Sequence, residues 1–128
     1  MPITALYAAI LTPLFIVLSA RVIRARHSGR VPIGDGGDKE LLRRIRVHAN
    51  FAEYVPLALI LMGLAESLKA DPWYLNALGA VLVLGRVLHA VGVSSLNERF
   101  ALRTAGMSLT FAVLAGAALA CLIGVVWR

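Results

Sequence analysis

The chain has 128 residues, of which 59% are hydrophobic and only 16% charged, with a mean hydropathy of +0.80. Soluble domains are about 45–50% apolar, so this composition points to one membrane-embedded domain, residues 1–128. The net charge of +6 does not indicate nucleic acid, because Lys and Arg cluster in two segments between apolar runs, without interleaved aromatics.

A first span is expected from about Ile3 to Ile23, with no charged residue before Arg21. Roughly 20 apolar residues cross a bilayer core, so this run suffices. Its positive charges follow the apolar run (Arg21, Arg24, Arg26, Arg30) instead of preceding it. That order fits an uncleaved span with its N-terminus outside, not a cleavable signal peptide.

Residues 24–38 form the one long connection, where four glycines and a proline argue against regular helix. Gly34-Asp-Gly-Gly-Asp38 lacks both the EF-hand ligand spacing and the Lys-Ser/Thr of a P-loop, and reads as a turn. Asp38 is then a good N-cap for a second helix, Lys39–Ser67. Its 29 residues would reach about 43 Å, beyond a ~30 Å hydrocarbon core, so its first turns stand in the headgroup region. Along this helix Arg46, Asn50 and Glu53 share one stripe, flanked by Arg43 and Tyr54, while His48 and Val55 point elsewhere. A charged residue within a span is by default a functional-site hypothesis.

Asp71-Pro72 starts a third helix, and Trp73-Tyr74 follow where an interfacial aromatic belt is expected. This span runs to about Val93 and carries Arg86 and His89 three residues apart on one face. A short link, Ser94–Arg99, leads to a fourth helix, apolar from about Ala105 to Val126 and closed by Trp127-Arg128. Gly79, Ala80, Gly85 and Ala115–Ala118 suggest close packing of spans three and four. Cys121 lies in an apolar run and reads as a small buried hydrophobe.

Ten of the thirteen Lys and Arg residues fall on the side of the first and third connections. The positive-inside rule therefore puts both termini outside and the arginine-rich connections in the cytoplasm. This topology gathers Arg43, Arg46, Asn50, Glu53, Tyr54, Arg86, His89 and Arg103 at one end of the bundle. Such a set suits a small zwitterion with two carboxylates: arginines bind carboxylates, Glu accepts an ammonium, and Asn and Tyr bond amides. Glutathione has this pattern, and an arginine beside its thiol would favour the thiolate. The plainer alternative is that Glu53 pairs with Arg46 or Arg86, while Arg24, Arg26, Arg30 and Arg44 meet anionic lipid headgroups. His89 is either packed or a site member. His27, His48 and His89 lack the spacing and companions of metal ligands, so no metal is expected.

Arg46-Val-His-Ala-Asn50-Phe-Ala-Glu53-Tyr54-Val-Pro56 closely resembles the signature of the MAPEG family, membrane-associated proteins in eicosanoid and glutathione metabolism. The preceding Gly-Asp-Gly-Gly-Asp-x-Glu-Leu-Leu-Arg-Arg is similar to the bacterial branch of that family, and the four spans agree throughout the chain. The resemblance implies an up-and-down four-helix bundle in the bacterial inner membrane. It further implies a homotrimer, with glutathione as co-substrate bound between subunits near the cytoplasmic face. It makes Arg46, Asn50, Glu53, Tyr54 and Arg86 glutathione contacts, with Arg43 beside them. His89 stands where leukotriene-forming relatives have tyrosine. Arg103 resembles the arginine that stabilises the thiolate, and Arg26 a loop arginine near it. The expected function is a glutathione-dependent transferase or peroxidase acting on a lipophilic electrophile that enters from the lipid. A non-catalytic glutathione- or lipid-binding protein of the same fold is the alternative. A four-span exporter ranks lower, since the first span lacks the acidic residue usual in exporters of this size.

Overall fold

The computed structural model describes residues 1–127; Arg128, paired with Trp127 as an anchor in the sequence, lies outside them. Four helices follow in order: α1 (Pro2–Gly29), α2 (Lys39–Ser67), α3 (Pro72–Ser94) and α4 (Phe100–Val126). Each is long and apolar enough to cross a bilayer, and no strand occurs among the described residues. The chain is an all-α, four-span membrane bundle.

The helix starts follow local chemistry. Asp38 Oδ1 accepts hydrogen bonds from the backbone N–H groups of Glu40 and Leu41, at 2.9 and 3.2 Å, and so caps α2. Asp71 does the same for α3 through Tyr74 N at 2.9 Å, with Pro72 in the first turn. The connection expected over residues 24–38 is shorter, because α1 continues through Arg24-Ala-Arg-His-Ser to Gly29. These residues tolerate helix, and the chain turns only at Arg30, whose φ of 53° is left-handed. α2 also passes through Pro56 without ending.

Short contacts fix the up-and-down topology. At one end, Glu66 of α2 accepts hydrogen bonds from Ile3 N, Thr4 N and Thr4 Oγ1 at the start of α1. Tyr7 of α1 donates to the carbonyl of Asn76 in α3, at 3.0 Å. At the other end, Arg21 of α1 reaches Ser94 Oγ at 3.0 Å, and Arg44 of α2 reaches the carbonyl of Arg21. α2 and α3 form the centre, with α1 and α4 on opposite sides of the pair and not touching each other. Val47, Phe51, Val55, Ala58 and Met62 of α2 pack with Leu78 and Leu82 of α3, Val113 and Ala117 of α4, and Leu11 and Leu18 of α1. Leu6, Ile10, Ile16 and Val17 of α1 instead face outward, as expected of a surface bathed in lipid.

The tightest crossing brings α3 and α4 together beside the arginines. A Cβ on Gly106 would lie 2.6 Å from both the Gly85 carbonyl oxygen and His89 N. One on Gly92 would lie 2.5 Å from Arg103 N. Among the small residues expected at this interface, Gly85 and Gly116 meet the facing helix closely and Ala117 is buried, whereas Ala80 and Ala115 are exposed. Gly79 serves a different neighbour, because its missing side chain makes room for the ring of Tyr7 in α1.

Candidate functional site

The start of α2, the end of α3 and the start of α4 enclose a cleft of about 770 Å³. Lys39, Leu42, Arg43, Arg46 and Asn50 line it from α2, successive turns presenting one face to it. α3 contributes His89 and Val93, the connection contributes Leu96 and Glu98, and α4 contributes Arg103. Clefts of this size hold small-molecule ligands. Four basic side chains meet a single carboxylate here, so the cleft is electropositive.

That carboxylate is already engaged. Glu98 Oε1 accepts a hydrogen bond from Arg103 Nη1 at 2.6 Å, and Glu98 Oε2 lies 3.5 Å from Arg43 Nη1. Arg43 also donates to the Val93 carbonyl at 3.3 Å. The Arg103 hydrogen bond holds the Glu98 carboxyl below the usual carboxylate range.

Beneath the cleft sits Arg86, only 1% exposed. Its Nη2 donates to Asn50 Oδ1 at 2.6 Å, and its Nη1 to Thr110 Oγ1 at 3.3 Å. Thr110 passes its own hydrogen on to the Gly106 carbonyl, at 2.8 Å. No carboxylate pairs with Arg86 among the described residues, and its Nε is buried without a partner. One turn away, His89 is also buried and its Nδ1 has no partner. Buried polar groups are normally satisfied, so two orphans on adjacent turns single out this floor.

The residues expected to share one site therefore divide. Arg43, Arg46, Asn50, His89 and Arg103 meet in the cleft, and Arg86 supports it through Asn50. Glu53 and Tyr54 do not line it. Glu53 is half-exposed and lies 3.7 Å from Arg46, while Tyr54 packs edge-on against Phe111 of α4. His48 stacks on Phe15 of α1, on the side away from the stripe. Arg26 donates to the carbonyls of Gly34 and Val31 and so ties down the first connection. Arg44 pairs with Glu40 of its own helix. Neither Arg26 nor Arg44 is thus the free lipid-facing cation that its position suggests.

Lys39, Glu98 and Thr110 are the polar site residues that sequence reasoning missed, Lys39 having been read only as the start of a helix. Glu98 was visible only as one polar residue in a six-residue link, Ser94–Arg99. Thr110 looked like an ordinary member of an apolar helix.

A family model described as MAPEG matches residues 4–123. The chain is 39% identical over 112 residues to the inner membrane protein YecN of Escherichia coli strain K12, covering 88% of this chain and 84% of that one. It is 35% identical over 126 residues to the Synechocystis sp. protein sll1147, covering 97% and 88% of the two chains. With the family model spanning nearly the whole chain and all four helices, this protein belongs to the MAPEG family.

Proposed function

We propose that the cleft binds glutathione and that the protein is a membrane-embedded glutathione-dependent transferase or peroxidase. The observation that carries this reading is the convergence of Lys39, Arg43, Arg46 and Arg103 with Asn50 on one cleft at a single end of the bundle. The two carboxylates of glutathione would take Arg43 and Arg46, its amides Asn50, and its sulfur Arg103. By the positive-inside rule, this end faces the cytoplasm, where glutathione is abundant, with both termini outside.

In the transferase reaction, the thiol proton leaves to solvent and Arg103 stabilises the thiolate. Sulfur then forms a bond to the electrophilic carbon of a lipophilic substrate, and the leaving group departs with its electron pair. Binding in the cleft would hold the nucleophile in place for a substrate arriving from the membrane, so that the step becomes effectively unimolecular. In the peroxidase variant, two glutathiones are oxidised to the disulfide while a hydroperoxide is reduced to alcohol and water.

Glu53 and Tyr54 enter this reading through a second subunit. A homotrimer would cover the exposed Arg46–Glu53 face of α2 and let Glu53 receive the ligand's ammonium from the neighbouring copy. Isothermal titration of glutathione into the detergent-purified protein, wild type beside Arg43→Ala and Glu53→Ala, tests the reading. Binding that both variants weaken supports it, and no heat in the wild type removes glutathione as the ligand.

A non-catalytic binding protein is favoured by one observation: Arg103, the residue assigned to the thiolate, is occupied by Glu98. Turnover with a lipophilic electrophile such as a chloronitrobenzene separates the two readings.

A further inference from the structure

Among the described residues, every polar contact of the Glu98 carboxylate is to an arginine of the cleft. One oxygen takes Arg103 Nη1 at 2.6 Å and the other faces Arg43 Nη1 at 3.5 Å. The two arginines come from different helices, α4 and α2, and Glu98 spans them from the short α3–α4 connection. A ligand that sets a carboxylate on Arg43 and an anionic sulfur on Arg103 would need the same pair. We propose that Glu98 is a built-in competitor, an internal carboxylate that occupies Arg43 and Arg103 until an anionic ligand displaces it.

The inference rests on the reading of the cleft as an anion-binding thiol site, and it adds a competitor to that site. The chemistry of exchange explains which ligands succeed. Removing Glu98 leaves Lys39, Arg43 and Arg103 with no carboxylate in the cleft and Arg46 with only the half-exposed Glu53 at 3.7 Å, an arrangement costly at the edge of a low-dielectric region. Glutathione replaces the lost contacts with one carboxylate at Arg43 and its thiolate at Arg103, and its second carboxylate addresses Arg46. A neutral ligand offers no replacement and leaves Glu98 in place.

The connection is suited to such a movement. Ser95–Arg99 is held by Arg99 N on the Gly92 carbonyl at 3.0 Å and by Ser95 Oγ on the Asn97 carbonyl, while Leu96 and Asn97 are exposed. No core residue anchors Glu98 itself. A salt bridge whose only task was to staple α2 to α4 would make ligand binding weaker when broken. A competitor makes binding stronger when removed, and the sign of the change separates the two.

The test uses the whole 128-residue chain in detergent, as wild type, Glu98→Gln and Glu98→Asp. Glutathione affinity is read by titration, and the modification rates of Arg43 and Arg103 by phenylglyoxal are read by peptide mass spectrometry without ligand. Glu98→Gln is expected to bind glutathione about tenfold tighter, the gain when a closed state holding nine chains in ten is abolished. Arg43 and Arg103 should be modified faster in the same variant. Glu98→Asp keeps the charge but is one methylene too short to span both arginines, so it should fall between the two. It also carries the test if Glu98→Gln aggregates. Equal or weaker glutathione binding in the variants overturns the competitor and leaves the glutathione reading intact. If no protein binds glutathione but both arginines react faster in Glu98→Gln, the glutathione reading falls and the internal occupation stands. No binding with unchanged arginine reactivity overturns both.

Discussion

At the scale of single residues, the site is organised by charges whose partners are not where charge arithmetic would put them. Arg86 is buried in the span with an amide and a hydroxyl for company. A hydrogen bond to a charged group contributes about 1.5–3 kcal/mol, and leaving such a group unpaired costs more than an apolar replacement of both partners. Asn50→Leu should therefore lower stability by about 2–3 kcal/mol, read as an earlier thermal transition in detergent. The double variant Asn50→Leu/Arg86→Met should recover much of that loss, since the guanidinium then no longer needs a partner. Glu98 gives a prediction in pH. Its partners are Arg103 from α4 and Arg43 from α2, with Lys39 and Arg46 of α2, His89 of α3 and Arg99 of its own connection around them. Because its folded-state pKa is lowered, its ionised contact stabilises the connection above the ordinary carboxylate range, and this is lost only as pH falls through the lowered value. A spin label at Asn97→Cys, in a Cys121→Ser background, should keep constant mobility from neutral pH down through the ordinary carboxylate range. It should loosen only below that range. Loosening already at mildly acidic pH would show that the Arg103–Glu98 contact does not hold the connection. Arg86 and Asn50 were each visible in the sequence as polar residues within spans. Their mutual hydrogen bond was not, because it depends on how α2 and α3 rotate about their axes, and only packing fixes that.

At the scale of elements, the ends of helices were the most legible features and the distances between helices the least. Asp38 and Asp71-Pro72 announce their helices through capping chemistry that acts over three or four residues, and the structure starts α2 and α3 there. The end of α1 was harder, because glycines at 34, 36 and 37 colour the whole segment while only Gly29-Arg30 stops the helix. The start of α1 depends on a residue 62 positions away. Glu66 supplies to Ile3 and Thr4 the carboxylate that a local Ser or Asp cap would otherwise provide, and Met1 offers no side-chain cap of its own. An N-cap contributes roughly 1 kcal/mol, with a favourable dipole interaction added. Glu66→Ala should thus let the first turn of α1 fray, seen as faster amide exchange at residues 3–6 while exchange in α3 and α4 is unchanged. The α3–α4 crossing makes the opposite demand. Gly106→Val would push a side chain onto the Gly85 carbonyl and His89 backbone, so α4 must retreat and carry Arg103 away from the cleft. Loss of glutathione binding with preserved helix content is the expected signature.

At the scale of the whole molecule, Glu53 leaves a charge facing outward from a membrane-spanning helix. Glu53 is the fifteenth residue of α2, about 21 Å along the helix at 1.5 Å per residue. If the surplus length of α2 over a ~30 Å core stands at the Lys39 end, Glu53 lies about 8 Å inside the hydrocarbon. It is half-exposed there, and its contact with Arg46 at 3.7 Å is itself half-exposed. A carboxylate facing lipid at that depth costs a few kcal/mol even on the lenient insertion scales. The stripe of Arg46, Asn50 and Glu53 was legible in the sequence as one helical face, yet within a single chain only part of it reaches the cleft. A monomer therefore leaves the stripe incomplete, and a second copy of α2, α3 or α4 laid against it would remove the charge from lipid and bring Glu53 to a neighbour's cleft. The expectation is a closed homotrimer, and native mass spectrometry from detergent should show three copies of the 13.7 kDa chain. Glu53→Leu separates the roles of this residue. If Glu53 only seals the interface, the apolar variant keeps the trimer and its glutathione affinity. If it also receives the ligand's ammonium, the trimer persists while affinity falls by about tenfold or more, the loss of roughly 1.5–3 kcal/mol expected for one charge-assisted hydrogen bond. A wild-type protein that remains a monomer in detergent and in lipid nanodiscs would remove the neighbouring subunit from the site and return Glu53 to pairing with Arg46 alone.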